Sequence, residues 1–296
     1  MAKSVTLGAA LQLAGINILW GASSVAAKYS LASMGPLTLT ALRFLPAGLL
    51  ILLISRRQGG RSKVCKGDGL SFFFMGLVGI ALTYGVFYLG VERTTATDTS
   101  LIFACEPLLI ALCARIFLKE RLSKRQWSGM IVGLAGIWLI AGQAVGNQIA
   151  LLALCFESTT TIIGKRLTMR YPGLFVAGVE MVIGALLLIP FAFLEIHRAP
   201  LHLTWQALSG LVYLSLICSA LCYGVWYHML HRFPVSAMAV FILIQPMTGP
   251  FYGWFLRGEA LKAGSAIGGL MVMVGIGLTI VSRGRSGKPH LESLPS

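Results

Sequence analysis

Residues 81–88 read ALTYGVFY, and residues 220–227 read ALCYGVWY. Six of the eight letters agree, and the two stretches lie 139 residues apart. At that same offset Arg93 matches Arg232, Pro107 matches Pro246, Glu120 matches Glu259 and Leu122 matches Leu261. Gly129 matches Gly268 and Gly136 matches Gly275, with no gap needed between 81 and 136. Earlier in each half the offset is 137, where Lys28 faces Lys165 and Arg43 faces Glu180. Self-similarity at a fixed period marks a duplicated structural unit. The chain divides into a first repeat over residues 1–142, a second over 143–282, and a tail over 283–296.

Composition says what the repeats are made of. Of 296 residues, 56% are hydrophobic and only 11% are charged, with a mean hydropathy of +0.81. A water-facing surface needs more charge than this. Ten apolar runs are expected to span a bilayer as helices, at 7–27, 35–55, 69–92, 94–117, 125–142, 147–168, 173–194, 205–230, 234–257 and 262–282. Each has roughly the 20 residues that a bilayer core requires. The fold class is all-α: a polytopic membrane protein of ten transmembrane helices. The first run resembles a signal peptide, with Lys3 before it and Gly21-Ala22-Ser23 near its end. Gln12 and Asn17 interrupt it, its length is excessive for a signal core, and the repeat needs this helix.

A formal charge of +14 raises the question of nucleic acid. With ten spans, 17 Lys and Arg fall on the side that holds both termini and 5 on the other, with Arg43 and Arg115 inside spans. That division follows the positive-inside rule and places both termini in the cytoplasm of a bacterial-type inner membrane. The neighbours of the basic excess are membrane lipids with anionic headgroups. The six cysteines show no metal-ligand spacing and read as packing residues.

Five helices per repeat is an odd number, so the second copy enters the membrane from the opposite side. Inverted repeats of this kind are a transporter architecture, in which each copy can adopt the other's conformation.

Several short motifs carry a family resemblance. Leu19-Trp20-Gly21 is followed by Lys28, Pro36 and Arg43; Glu106-Pro107 precedes Glu120, Gly129 and Gly136; Gln245-Pro246 and Gly258-Glu259 repeat the pattern. The chain resembles the ten-helix, EamA-type branch of the drug/metabolite transporter superfamily over nearly its whole length. It departs from the family pattern at Lys119, where Gly is usual, and at Asn147, where an acid is common. The resemblance implies export of small metabolites, amino acids included. The aromatic amino-acid exporters are the most similar branch. Exporters of other metabolites or drugs share the fold.

The residues carry their own chemistry. Pro107 and Pro246 lie near the middle of the fourth and ninth spans. A mid-helix proline removes a backbone hydrogen bond and frees a carbonyl. In hydrocarbon such a break is tolerated where the helix lines a cavity or packs on protein. Glu106 stands beside the first break and Gln245 beside the second. Glu106 could bind a substrate ammonium, take up a coupling proton, or satisfy the carbonyl freed at Pro107. Ionisable groups at membrane depth are functional candidates by default. Glu157, Glu180 and Arg43 are further candidates for a proton or ion-pair role. Tyr84 and Tyr88 share one helix face, as do Tyr223 and Tyr227, and the two pairs are expected as an outer and an inner lid. Trp20 and Trp226 extend that aromatic lining. An interfacial aromatic belt is the alternative for the tyrosines.

Gly129 with Gly133, and Gly264 with Gly268, form small-residue faces for close packing within the chain or with a second copy as a homodimer. No HExxH, Walker loop or GxSxG motif occurs, and neither cofactor nor metal is expected. A membrane-embedded enzyme is the remaining alternative. The expected partner is a small-molecule substrate.

Overall fold

A computed structural model of the chain describes residues 6–59, 64–65, 67–106, 108–109, 112, 124–199, 201–233, 238 and 241–283. Pro107, Cys113, Arg115, Lys119, Glu120 and parts of the fourth and ninth spans lie outside them. The described residues are helical, without strands. In chain order the helices are α1 (Leu7–Gly21), α2 (Ser23–Leu31), α3 (Pro36–Arg57) and α4 (Gly69–Phe74), then a π-helix π1 (Met75–Leu82), α5 (Thr83–Glu92) and α6 (Ala96–Phe103). There follow α7 (Lys124–Ala141), α8 (Val145–Thr168), α9 (Gly173–Arg198), α10 (Trp205–Val212), a second π-helix π2 (Tyr213–Tyr223), α11 (Gly224–Arg232), α12 (Gln245–Arg257) and α13 (Ala263–Arg283).

Five continuous helical stretches are long and apolar enough to cross a membrane: Leu7–Leu31, Pro36–Arg57, Gly69–Glu92, Gly173–Arg198 and Trp205–Leu230. Shorter apolar helices run over Trp127–Ala141 and Ala263–Leu278. Large apolar side chains such as Trp138, Phe193, Trp205 and Phe255 face outwards. An apolar exterior of this extent belongs in lipid. The chain is a multi-pass membrane protein.

Polar groups cap the helix ends inside this apolar body. The Glu259 carboxylate accepts from Ala96 N at 3.2 Å, Thr97 N at 2.9 Å and Thr97 Oγ1 at 3.0 Å, satisfying the free donors that open α6. Gly258 makes that reach possible. It ends α12 in the left-handed region, with φ of 64°, and turns the chain back. Glu195 caps α3 in the same manner, through Thr38 N at 2.7 Å and Thr38 Oγ1 at 2.7 Å.

Glycines let helices approach closely. A Cβ on Gly136 would sit 2.5 Å from Gly268 O, and one on Gly275 would sit 2.5 Å from Gly129 O. These two contacts exchange with each other at the 139-residue offset, and they lock α7 against α13. The small-residue faces therefore pack inside the chain, where van der Waals contact between backbones replaces the hydrophobic drive that lipid removes.

Two irregularities also recur at that offset. Each third span contains a π-helix ending just before or within its Tyr-Gly-Val segment. Each proline-bearing span breaks at a turn, Ala104–Cys105 in one and Leu243–Ile244 in the other. There Cys105 N bonds Ile102 O at 2.8 Å and Ile244 N bonds Phe241 O at 3.1 Å. Pro246 then occupies the first turn of α12, where its missing N–H costs nothing.

Candidate functional site

The helix breaks and π-helices converge on one interior cavity of about 60 Å³. It is lined by Trp20 and Ser23 from the first span, Arg43 from α3, Tyr84, Phe87 and Tyr88 from α5, Phe103 and Glu106 at the α6 break, Glu157 from α8, Tyr223 and Trp226 around the end of π2, and Ile242 and Gln245 at the α12 break. The lining thus comes from the first, third, fourth, sixth, eighth and ninth of the apolar runs, and α3 adds Arg43. A volume near 60 Å³ holds about two waters, far below the roughly 300–1,000 Å³ of an organic-ligand site. An organic solute needs the walls to move.

The tyrosines meet rather than guard opposite ends. Tyr84 and Tyr223, equivalent at offset 139, share a hydrogen bond between their hydroxyls, and both hydroxyls lie 3.4 Å from Glu157 Oε1, which accepts from the one whose proton is not given to its partner. The expectation of an outer and an inner lid is thereby corrected for this pair. Equivalent groups that touch lie at the junction of the two halves. Phe44 and Trp20 hold the rings: Phe44 stands 4.6 Å from Tyr84 and Trp20 5.4 Å from Tyr223, centroid to centroid. Trp20 is fixed by donation from Nε1 to Cys218 O at 2.9 Å, a carbonyl within π2. A widened turn misaligns carbonyls from the ordinary ladder, and π-helices recur at functional sites for that reason.

Arg43 is the cation of the cavity. Its guanidinium donates to the Tyr88 hydroxyl and, through Nε, to Ser219 Oγ at 2.7 Å. It lies 4.6 Å from the Phe44 centroid and 4.9 Å from that of Tyr84, a cation–π setting. The expected ion pair with an acid is not formed: among the described residues the ion pairs are Arg170–Asp68 and Arg257–Glu259. Phenol and hydroxyl oxygens do the holding instead. Two guanidinium nitrogens are thus engaged, in a group with five donors.

Gln245 is positioned by a buried amide pair, donating from Nε2 to Asn17 Oδ1 at 2.8 Å, while Asn17 Nδ2 donates to Leu13 O at 2.7 Å. Pro246 is buried beside Gln245 and does not line the cavity. Glu180 and Tyr227 also lie apart from it, joined by a hydrogen bond of 2.5 Å. Pro107 is outside the described residues.

Equivalence at the two offsets organises the lining. Trp20 corresponds to Glu157, Tyr84 to Tyr223, Phe87 to Trp226, Phe103 to Ile242 and Glu106 to Gln245, and both members of every pair line the cavity. Phe87, Phe103, Ile242 and Ser23 were not anticipated. Phe87 could have been found, since it and Trp226 occupy the same place in the repeated phrase.

The chemistry is that of a binding chamber: aromatic faces, one guanidinium, carboxylates, an amide and hydroxyls around a small void. Among the described residues no cluster of His, Cys, Asp and Glu could hold a metal. Fold and chamber together define a membrane transporter of small molecules. The model of the EamA-like transporter family matches residues 7–142 and again 144–281, and the chain belongs to that family. It is 25% identical to an uncharacterized transporter of Archaeoglobus fulgidus, over 91% of this chain and 96% of that one. It is 24% identical to an uncharacterized transporter, YetK, of Bacillus subtilis, over 94% and 88% of the two chains. It is 24% identical to an S-adenosylmethionine/S-adenosylhomocysteine transporter of Chlamydia trachomatis, over 83% and 81%. A crystal structure at 19% identity superposes with a TM-score of 0.66, covering 94% of this chain and 99% of the other, which bears on the fold.

Proposed function

We propose that the chain is an alternating-access carrier of ten transmembrane helices, built from inverted repeats over residues 1–142 and 143–282. In this reading it lies in the inner membrane with both termini in the cytoplasm and exports small amphipathic metabolites. Aromatic or large neutral amino acids suit the chamber best. The observation that carries the reading is the lining itself: edge-to-face and tilted aromatic rings share one cavity with Arg43, Glu157 and Glu106. A carboxylate, an ammonium and an apolar body each find a partner there. The break at Glu106 and its counterpart at Gln245 supply the discontinuous helices that carriers place at their binding sites.

S-adenosylmethionine also joins an α-amino-acid head to an aromatic body, so the chlamydial relative supports the same solute chemistry. Reconstitution into liposomes tests the proposal. Aromatic amino acids should show saturable flux, while sugars and cationic drugs should not. Flux of sugars or drugs in place of amino acids would overturn the substrate assignment. The orientation rests on the 17-to-5 division of basic residues. A cytoplasm-specific reporter fused after Ser296 should be active; activity of a periplasm-specific reporter there would reverse it.

A further inference from the structure

Gln245 carries an amide, and the end that faces the solute decides what it can bind. One end of an amide accepts hydrogen bonds and the other donates them. The choice is made by a chain of contacts that begins outside the cavity. Leu13 O is a backbone carbonyl and only accepts, so the Asn17 atom 2.7 Å from it is Nδ2. Asn17 is fully buried, and its other end, Oδ1, meets the Gln245 amide at 2.8 Å. Two amide oxygens have no proton to share at that distance, so Gln245 turns Nε2 toward Asn17. Oε1 is left for the solute. It has no partner among the described residues and is not sealed in, and Gln245 lines the cavity while Asn17 does not.

The repeat explains why this arrangement stands in one half only. Gln245 corresponds to Glu106, and Asn17 corresponds to Leu154 at the 137-residue offset. Both oxygens of a carboxylate accept, so Glu106 offers an acceptor whichever way its carboxyl group is turned. An amide offers one only when it is oriented, and the asparagine that orients it faces the amide alone. Leu154, at the corresponding place, is a buried apolar residue. Resting on the reading of the cavity as the solute site, we propose that Gln245 Oε1 is a further acceptor for the solute's nitrogen and that Asn17 is its positioning residue. Both helix breaks then present an oxygen to one N–H-bearing head group, and Glu157 adds a carboxylate from α8. A primary ammonium has three N–H donors to divide among these acceptors. A quaternary ammonium carries the same charge and has none. The site therefore selects a primary ammonium over its N-methylated relatives, a discrimination that attraction between charges does not supply.

The test is equilibrium binding of two probes, phenethylamine and its N,N,N-trimethyl derivative, to the full chain purified in detergent. The unaltered protein should bind the primary amine about tenfold more tightly or better, as the loss of charge-assisted hydrogen bonds implies. Equal affinities, or binding of neither amine, overturn the proposal before any substitution is made. Gln245→Met, of similar length but without an amide, should lower the preference about fivefold. An undiminished preference there overturns the acceptor role. Asn17→Leu alters no cavity wall and should lower the preference in the same direction, because Gln245 is then free to turn. A residue that merely packs would weaken both probes alike and leave the preference intact, which overturns the positioning role. Adding Gln245→Glu to Asn17→Leu reproduces the pairing of Glu106 with Leu154 and should restore the preference; a double variant no better than Asn17→Leu alone also overturns it. Asn17→Ala takes the place of Asn17→Leu if the latter fails to reach the membrane. Neither probe carries a carboxylate and no transport is needed, so an absence of amino-acid flux in liposomes would refute the substrate reading and leave this inference standing.

Discussion

Replacing Glu259 with Ala should weaken the fold by a predictable amount. The carboxylate receives three hydrogen bonds from the start of α6, at 2.9–3.2 Å, and a fourth from Arg257 Nε at 3.1 Å. Its side chain is 13% exposed, so solvent screens it little. Hydrogen bonds to a charged group contribute roughly 1.5–3 kcal/mol each when a partner is deleted, and loss of an N-cap costs about 0.5–2 kcal/mol. The bonds share one carboxylate and do not add. A combined loss of about 2–4 kcal/mol is expected for Glu259→Ala. Glu259→Gln keeps one accepting oxygen and turns an amide toward N–H donors, so about half of that loss should remain. Thr97→Val removes only the 3.0 Å hydroxyl bond and should couple to Glu259 in a double-mutant cycle. Unfolding midpoints of the purified protein in mixed micelles report all three. A Glu259→Ala variant within about 0.5 kcal/mol of the parent would refute the capping role, since surface changes stay in that range.

Other perturbations follow from the same geometry. Gly136→Ala puts a methyl 2.5 Å from Gly268 O and should destabilise by about 1–3 kcal/mol, whereas Gly277→Ala, with nothing within 4 Å, should be neutral or stabilising; equal effects in the same assay would refute the tight crossing. Tyr84→Phe and Tyr223→Phe each remove a hydroxyl shared with the partner tyrosine and Glu157, and flux should fall about tenfold at unchanged membrane abundance. Parent-like flux in both would leave the rings as packing alone. Glu106→Gln should weaken apparent affinity about tenfold for amino acids and leave des-amino analogues unaffected. A changed response to a pH gradient at constant affinity would point to proton uptake, and an unaltered variant would remove Glu106 from the site.

Much of the site was legible because repetition conveys information that composition does not. The phrase around Tyr84 and Tyr223 and the prolines at 107 and 246 pointed to one junction, and the cavity collects most of the residues read from them. The distance of Tyr84 from the junction was not legible. Equivalence says that two residues are related, not how far apart they stand, and a touching pair looks the same in sequence as a separated one. The π-helices left no trace because a widened turn within an apolar run keeps the same hydropathy. Arg43 was readable as a buried charge but its partners were not, because Tyr88 and Ser219 come from other spans and hydroxyl partners carry no charge pattern. Glu180 was placed with the site as an ionisable group at membrane depth and Tyr227 by sharing a helix face with Tyr223, and neither lines the cavity.

The most direct measurement is counterflow in reconstituted liposomes. Vesicles loaded with unlabelled phenylalanine and diluted into a trace of labelled phenylalanine should accumulate the label transiently above equilibrium, because a carrier that alternates returns more readily with solute bound. Label that only equilibrates, at a rate indifferent to the unlabelled solute inside, would contradict alternating access and leave a pore or no pathway at all.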